Sequence, residues 1–204
     1  MTHSTEQENF WAGEFGEQYI SRNNSAELLT SKMIMWSKML RSAHNITSVH
    51  ELGCNIGLNL IAIKQLIPNA TLSGIEINET AAEKARQCGI ASVTTGTLLD
   101  PPLHNPVDLT AAVTVLIHIN PDELKRAYRN LVESSKRYVL VAEYYNPVPT
   151  KINYRGHEDR LFKRDFAGEL MDEFQLNLID YGFFYHRDKY SPQDDISWFL
   201  MEKS

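Results

Sequence analysis

The stretch VHELGCNIGLNLIAIKQLIPNATLSGIEIN, residues 49–78, decides the fold. A short apolar run enters a turn containing glycine, helix formers follow as far as Pro68, and a second apolar run ends on Glu76. That order is strand, turn, helix, strand, the repeating unit of a parallel sheet. Gly53 and Gly57 bracket the turn, where small residues let a ligand approach the backbone and the helix start offers unpaired N–H groups. Asn55 stands where a dinucleotide fingerprint has its middle glycine, and asparagine takes positive φ more readily than other residues that carry a side chain. The spacing Gly53-x-x-x-Gly57 differs from G-x-G-x-x-G, and no Arg or Lys stands beside it for a phosphate. Glu51 precedes the loop, and Glu76 follows it by about 20 residues, where a carboxylate accepts both hydroxyls of a ribose. The loop therefore suits a nucleoside that carries an amino-acid tail.

Outward from this unit the alternation continues. Residues 25–44 have apolar side chains at helical spacing, with Ser25 as N-cap. ETAAEKARQCG is a helix closed at Gly89, IASVTTG a third strand, and VDLTAAVTVLIHI a fourth. PDELKRAYRNLVESS is a helix opened by Pro121, and RYVLVAEYY a fifth strand. The sheet is thus mainly parallel, with helices on both faces. NPVPTKINYRGHEDRLFKRDF is polar and punctuated by proline, and it reads as a long connection starting at the carboxyl ends of the strands, where open α/β sheets place their sites. QLNLIDYGFFYHRD and ISWFLMEKS read as a closing antiparallel pair.

Bulk properties narrow the function classes. The 204 residues, 43% hydrophobic and 23% charged, suit one packed domain. A formal net charge of -6, with no run of Lys and Arg, argues against a general grip on nucleic acid. The two cysteines, Cys54 and Cys88, have no CxxC partners, and the seven histidines lack the i, i+4 pairing of metalloenzymes. No metal is expected, and the pair Asp194 and Asp195 reads as a turn feature. The polar start MTHSTEQENF and the lack of a long apolar run lead to the expectation of a cytoplasmic chain that does not cross a membrane.

ELGCNIG, GIEIN, TGTLLDP and LTAAVTVLIHINP, in this order, resemble the successive motifs of class I S-adenosylmethionine-dependent methyltransferases. FWAGEFGEQYISRN, ELGCNIGLNL and YGFFYHRDKYSPQDDISWFLMEK more specifically resemble the small methylases associated with pseudaminic acid biosynthesis. The resemblance implies a Rossmann-like α/β fold whose mainly parallel seven-stranded sheet closes with an antiparallel pair. It implies one methyltransferase domain over 1–204, with a helical cap at 1–45, a cofactor-binding core at 46–145 and a substrate-side region at 146–204. It also implies S-adenosyl-L-methionine as cofactor and a small acceptor, a sugar or nucleotide sugar. A methyltransferase for another small metabolite, on oxygen or nitrogen, and a binding module without turnover are the alternatives.

Carried over residue by residue, Glu51, Gly53, Cys54, Asn55 and Gly57 would wrap the methionine part, Glu76 would take the ribose, and Ile77 would lie under the adenine. Thr97 and Leu98 would border the adenine edge. Thr97 replaces the usual Asp, so a backbone carbonyl or Asp100 is left to accept the adenine amine. Val115 and Leu116 would end the fourth strand. Trp11, Phe15 and Tyr19 recur at helical spacing and read as one amphipathic helix. Tyr19 and Arg22 are candidates for the cofactor carboxylate, which a guanidinium fork pairs well. A hydroxyl acceptor needs a base, and His118, Glu143, Tyr144 and His157 are the candidates. Arg155, His157, Arg160, Lys163 and Arg164 form a basic segment, either a solvated face or a reader of an anionic substrate.

Overall fold

The computed structural model describes residues 4–20 and 26–204. The elements in chain order are α1 (Glu6–Ala12), α2 (Glu14–Ile20), α3 (Ala26–Met39), β1 (Ser48–Leu52), α4 (Leu58–Leu66), β2 (Thr71–Glu76), α5 (Glu79–Gln87), β3 (Ser92–Thr95), β4 (Val107–Val113), α6 (Leu124–Glu133), β5 (Ser135–Glu143), β6 (Thr150–Tyr154), β7 (His157–Lys163), α7 (Phe166–Phe174), β8 (Asn177–Phe184) and β9 (Ile196–Glu202). Seven strands form one sheet in the order β3-β2-β1-β4-β5-β9-β8. The first five run parallel, and β9 and β8 close the edge antiparallel. From β1 the chain moves toward β3, while β4 lies on the other side of β1. The strand order therefore reverses between β1 and β4 and leaves a crevice at their carboxyl ends.

Burial on both faces explains the near-continuous apolar runs of the central strands. On β5, Tyr138, Leu140 and Ala142 pack into a core with Trp36, Met39, Leu60 and Ile63 of α3 and α4. Val139 and Val141, one residue out of phase, pack into a second core with Leu124, Tyr128 and Leu131 of α6 and Phe166 and Leu170 of α7. The end of α3 is tied to β8 because Arg41 donates to Asp180 through Nε and Nη2 at 2.7 and 2.8 Å.

Three readings from the sequence are corrected. β4 ends at Val113, and Leu116–His118 form a turn of 3-10 helix, so Val115 and Leu116 do not end the strand. Thr114 turns the chain with φ 52°. Trp11, Phe15 and Tyr19 belong to two helices, because Gly13 caps α1 by donating to the Asn9 carbonyl at 3.1 Å. The long polar connection contains a hairpin of β6 and β7, turned at Arg155 and Gly156 with φ 53° and 86°. It is followed by α7, whose N-cap Asp165 accepts from Gly168 N at 2.8 Å. Its strands are largely exposed, so no apolar period marks them. The proposed N-cap Ser25 lies outside the described residues.

Gly16 is where the two short helices meet the rest of the molecule. A Cβ there would sit 1.9 Å from the Trp11 carbonyl oxygen and 3.0 Å from Asn78 Nδ2. Gly16→Ala is therefore expected to push α2 off α1 at a cost on the order of 1–3 kcal/mol. Limited proteolysis near Gly13 should quicken while the main thermal transition stays in place, and an unchanged cleavage rate would contradict this packing.

Candidate active site

The crevice begins at the loop after β1. Gly53 has φ 74° and Gly57 φ 83°, and Asn55 takes the left-handed region at φ 48° as its residue type allows. At Gly53 a side chain is excluded twice, since a Cβ would also lie 2.5 Å from Val115 Cγ2. Gly53 N and Cys54 N both donate to the Ile75 carbonyl, at 2.8 and 3.1 Å, so the loop folds back over β2. Glu76 then holds both sides of the opening: Oε2 accepts from Asn55 N at 2.8 Å and Oε1 from Asn78 N at 2.9 Å. Burial pushes the Glu76 carboxyl up, against the pull of these N–H groups. The Asn78 side chain caps α5 by accepting from Ala81 N at 3.0 Å and donates to the Trp11 and Ala12 carbonyls at 3.4 Å.

Beneath the loop runs a second polar chain. Buried Trp36 donates through Nε1 to Asn59 Oδ1 at 3.1 Å, which orients the amide so that Asn59 Nδ2 donates to Glu51 Oε1. Burial raises the Glu51 carboxyl to about 7, opposed by Asn59 and by the charge of Lys32. Lys32, from α3, lines the same end of the crevice, and its ammonium is lowered by burial while Glu51 and Asp194 favour its charged form. Cys54 is buried, and burial pushes its thiol up.

The far wall is held from behind by Glu143 at the end of β5. Its Oε1 accepts from Val115 N at 3.0 Å and Leu116 N at 2.9 Å, so these amides are spent on the carboxyl and β4 gives way to the 3-10 turn. Burial raises Glu143 to about 8, and among the described residues its Oε2 has no hydrogen-bond partner. The turn delivers His118. Its Nδ1 lies 2.6 Å from the Arg160 carbonyl and so donates, and a neutral ring then carries its lone pair on Nε2. Burial lowers His118 to about 4, which keeps the ring neutral at physiological pH. Trp11 and Tyr154 pack against the ring at centroid distances of 4.4 and 5.1 Å and against each other at 6.3 Å, so they close one corner around it.

Together these elements line a cavity that opens to solvent, about 1140 Å³ with the open space at its mouth counted. Of the sequence candidates, Tyr19, Gly53, Cys54, Asn55, Glu76, Ile77, Thr97, Leu98, Val115 and His118 line it. Glu51 and Gly57 support the wall from behind, and Arg22 lies outside the described residues. Three of the four candidate bases do not reach the cavity. Glu143 is committed to the 3-10 turn, and the Tyr144 hydroxyl, raised by burial, bonds Asp194. His157 is exposed at the hairpin turn against Phe10 and Phe15. None of the basic segment lines the cavity either. Arg160 pairs with Glu6 at 3.3 Å, Arg164 with Glu169 at 2.7 Å, Lys163 lies over Tyr144 and Arg155 over Tyr154. Asp195 pairs with His186 at 2.8 Å.

Lys32, Asn59, Gln7 and Glu8 also line the cavity and were not singled out in the sequence. Only Glu8 had a local signal, the Thr5-x-x-Glu8 pattern of a capping box, which the structure forms. Lys32 had none, since a lysine on an amphipathic helix ordinarily faces water.

Glu143 yields a pH test. Its folded value near 8 lies above the ordinary 4.5, so between these limits the folded chain holds a proton that the unfolded chain has released. Stability is then fully present below about 4.5 and is lost as pH rises toward about 8. Glu143→Gln keeps an oxygen for the two amides without the ionisable group, so its melting temperature should fall less over this interval than that of the wild type. Parallel curves would show that Glu143 does not titrate there.

No family model matches the chain, and no curated protein is similar to it at a significant level. Solved structures do match. Magnesium protoporphyrin IX methyltransferase from Synechocystis PCC 6803, with bound SAM, superposes with a TM-score of 0.70 at 12% identity over 100% of both chains. A S-adenosylmethionine-dependent methyltransferase from Clostridium acetobutylicum ATCC 824 gives 0.66 at 12% identity over 93% of this chain and 98% of that one. An N-methyltransferase from Bradyrhizobium japonicum WM9, in complex with S-adenosyl-L-homocysteine, gives 0.67 at 14% identity over 91% and 97%. At such identities the likeness is one of architecture, and the chain has the Rossmann-like fold of these methyltransferases.

Proposed function

We propose that this chain is a cytoplasmic S-adenosylmethionine-dependent methyltransferase, folded as one domain over 1–204, that acts on a small acceptor. The observation that carries this reading is a single cavity with the Glu76 carboxylate on one wall and the neutral His118 ring on another. The residues between them fit the cofactor. Glu76 accepts the ribose hydroxyls, and Ile77 and Leu98 offer apolar flanks to a base. Gly53 lets the backbone come close, and Lys32 in the lining, its charged form favoured by Glu51 behind the wall, offers an ammonium to the carboxylate of the amino-acid tail. Bound there, the cofactor supplies an electrophilic methyl group on a sulfonium.

The chain's own residues do the rest. α1 and α2 cover the crevice and exclude water, and the Trp11 and Tyr154 rings hold His118 in one orientation. His118 accepts the acceptor's hydroxyl proton at Nε2 while its Nδ1–H stays on the Arg160 carbonyl. For the acceptor, the terminal motifs support a sugar or nucleotide sugar of nonulosonic, pseudaminic-type acid biosynthesis. A binding module without turnover is the rival, and the neutral His118 ring in the cavity lining speaks against it.

Calorimetry should detect S-adenosylmethionine and S-adenosylhomocysteine and no comparable binding of NAD. Glu76→Gln should weaken both by about 1–3 kcal/mol, the cost of buried hydroxyls left poorly paired. Comparable binding of NAD would overturn the reading of the loop spacing. With labelled cofactor and a panel of nucleotide sugars and sialic-acid-like sugars, His118→Asn should lower turnover about 100-fold at nearly unchanged cofactor affinity, because the amide can still donate to the Arg160 carbonyl but cannot take a proton. Unchanged turnover would remove His118 as base.

A further inference from the structure

Beyond Ile77 the cavity is bounded by Thr97, Leu98 and Leu99 after β3 and by Thr5 and Glu8 of the covering helix. Among the described residues two carboxylates line the whole cavity, Glu76 and Glu8. Asp100, the acid that the sequence offered for this end, does not line it, because its Oδ2 accepts from Thr97 N at 2.9 Å within its own loop. Glu8 is 4% exposed. Ser4 N, Ser4 Oγ and Thr5 N donate to its Oε2 at 2.8, 2.7 and 3.0 Å, the reciprocal half of the capping box, and leave Oε1 outside it. The Thr97 side chain also hydrogen-bonds the carboxyl. Burial raises the Glu8 carboxyl and these bonds lower it, with the net result below the ordinary value, so it is a carboxylate at neutral pH. An acid that only capped a helix would gain nothing from standing almost dry in the wall of a cavity.

We infer that Glu8 accepts the exocyclic amine of the cofactor's adenine, so that the covering helix α1 reads the base in place of an acid at position 97. This rests on the cofactor reading above. Adenine offers two N–H groups at that position, whereas hypoxanthine offers a carbonyl oxygen, which a carboxylate repels. Glutamine keeps an oxygen for the capping box and can turn its amide N–H groups toward a carbonyl.

The test is calorimetry on the full chain with two probes, S-adenosylhomocysteine and S-inosylhomocysteine. The wild type should prefer the adenine compound by about tenfold or more. Glu8→Gln should move the two affinities in opposite directions, weaker for adenine and stronger for hypoxanthine, and so erase the preference. Ser4→Ala, which loosens the cap and leaves the carboxylate, should shift both probes by a common factor. A common shift or no shift in Glu8→Gln, or a wild type that binds both probes equally, overturns the role of Glu8 and leaves the cofactor reading standing. A wild type that binds neither probe overturns both.

Discussion

One buried carboxylate organises the crevice. Glu76 ends β2 at the point where the chain must leave the sheet, and its two oxygens take one amide from the loop after β1 and one from the start of α5. Each amide would otherwise be an orphan at a helix approach, and a carboxylate is the acceptor that satisfies such groups most strongly. The constraint propagates outward. Asn78, fixed by Glu76, caps α5 with its side-chain oxygen and reaches the end of α1 with its side-chain nitrogen. The covering helices are thus referenced to the same carboxylate that lines the cavity.

Glu143 repeats the device on the opposite wall. A glutamate at the end of β5 takes the amides of Val115 and Leu116, and the turn so formed carries His118 to the cavity. The arrangement is costly. Burial raises Glu51 to about 7 and Glu143 to about 8, and each keeps one oxygen without a partner among the described residues. Such groups are tolerated where the surrounding structure over-determines them, and both stand behind the cavity wall, where each fixes a part of it.

How much was legible varies with the range of the interaction. β1, the loop, α4 and β2 were readable from 49–78 because period, punctuation and positive φ are local properties, and Asn55 does take the left-handed region. Val115 and Leu116 looked like the end of a strand because they are apolar, and the carboxyl that turns them aside lies 28 and 27 residues away. The hairpin of β6 and β7 was hidden because its side chains are exposed or half-buried apart from Leu161 and Phe162, which are adjacent, so no alternation of apolar and polar residues marks it. Among the residues around the cavity, Glu76 could be found by its distance from the loop, whereas Lys32 arrives from a helix far from the motif and Glu8 from another.

By itself the sequence determined the alternation of strands and helices, the parallel sheet, the glycine-bearing loop and the carboxylate after it, since each follows from backbone preference and from the period of burial. The tertiary structure alone decided which charged groups meet. It spent the basic segment on Glu6, Glu169 and aromatic faces, put Glu143 behind the wall and left His118 in front of it. The physical reason is that burial and charge pairing depend on distance in space. A carboxyl is a base, a cap or a ligand according to which amides and cations the fold brings within about 3 Å of it.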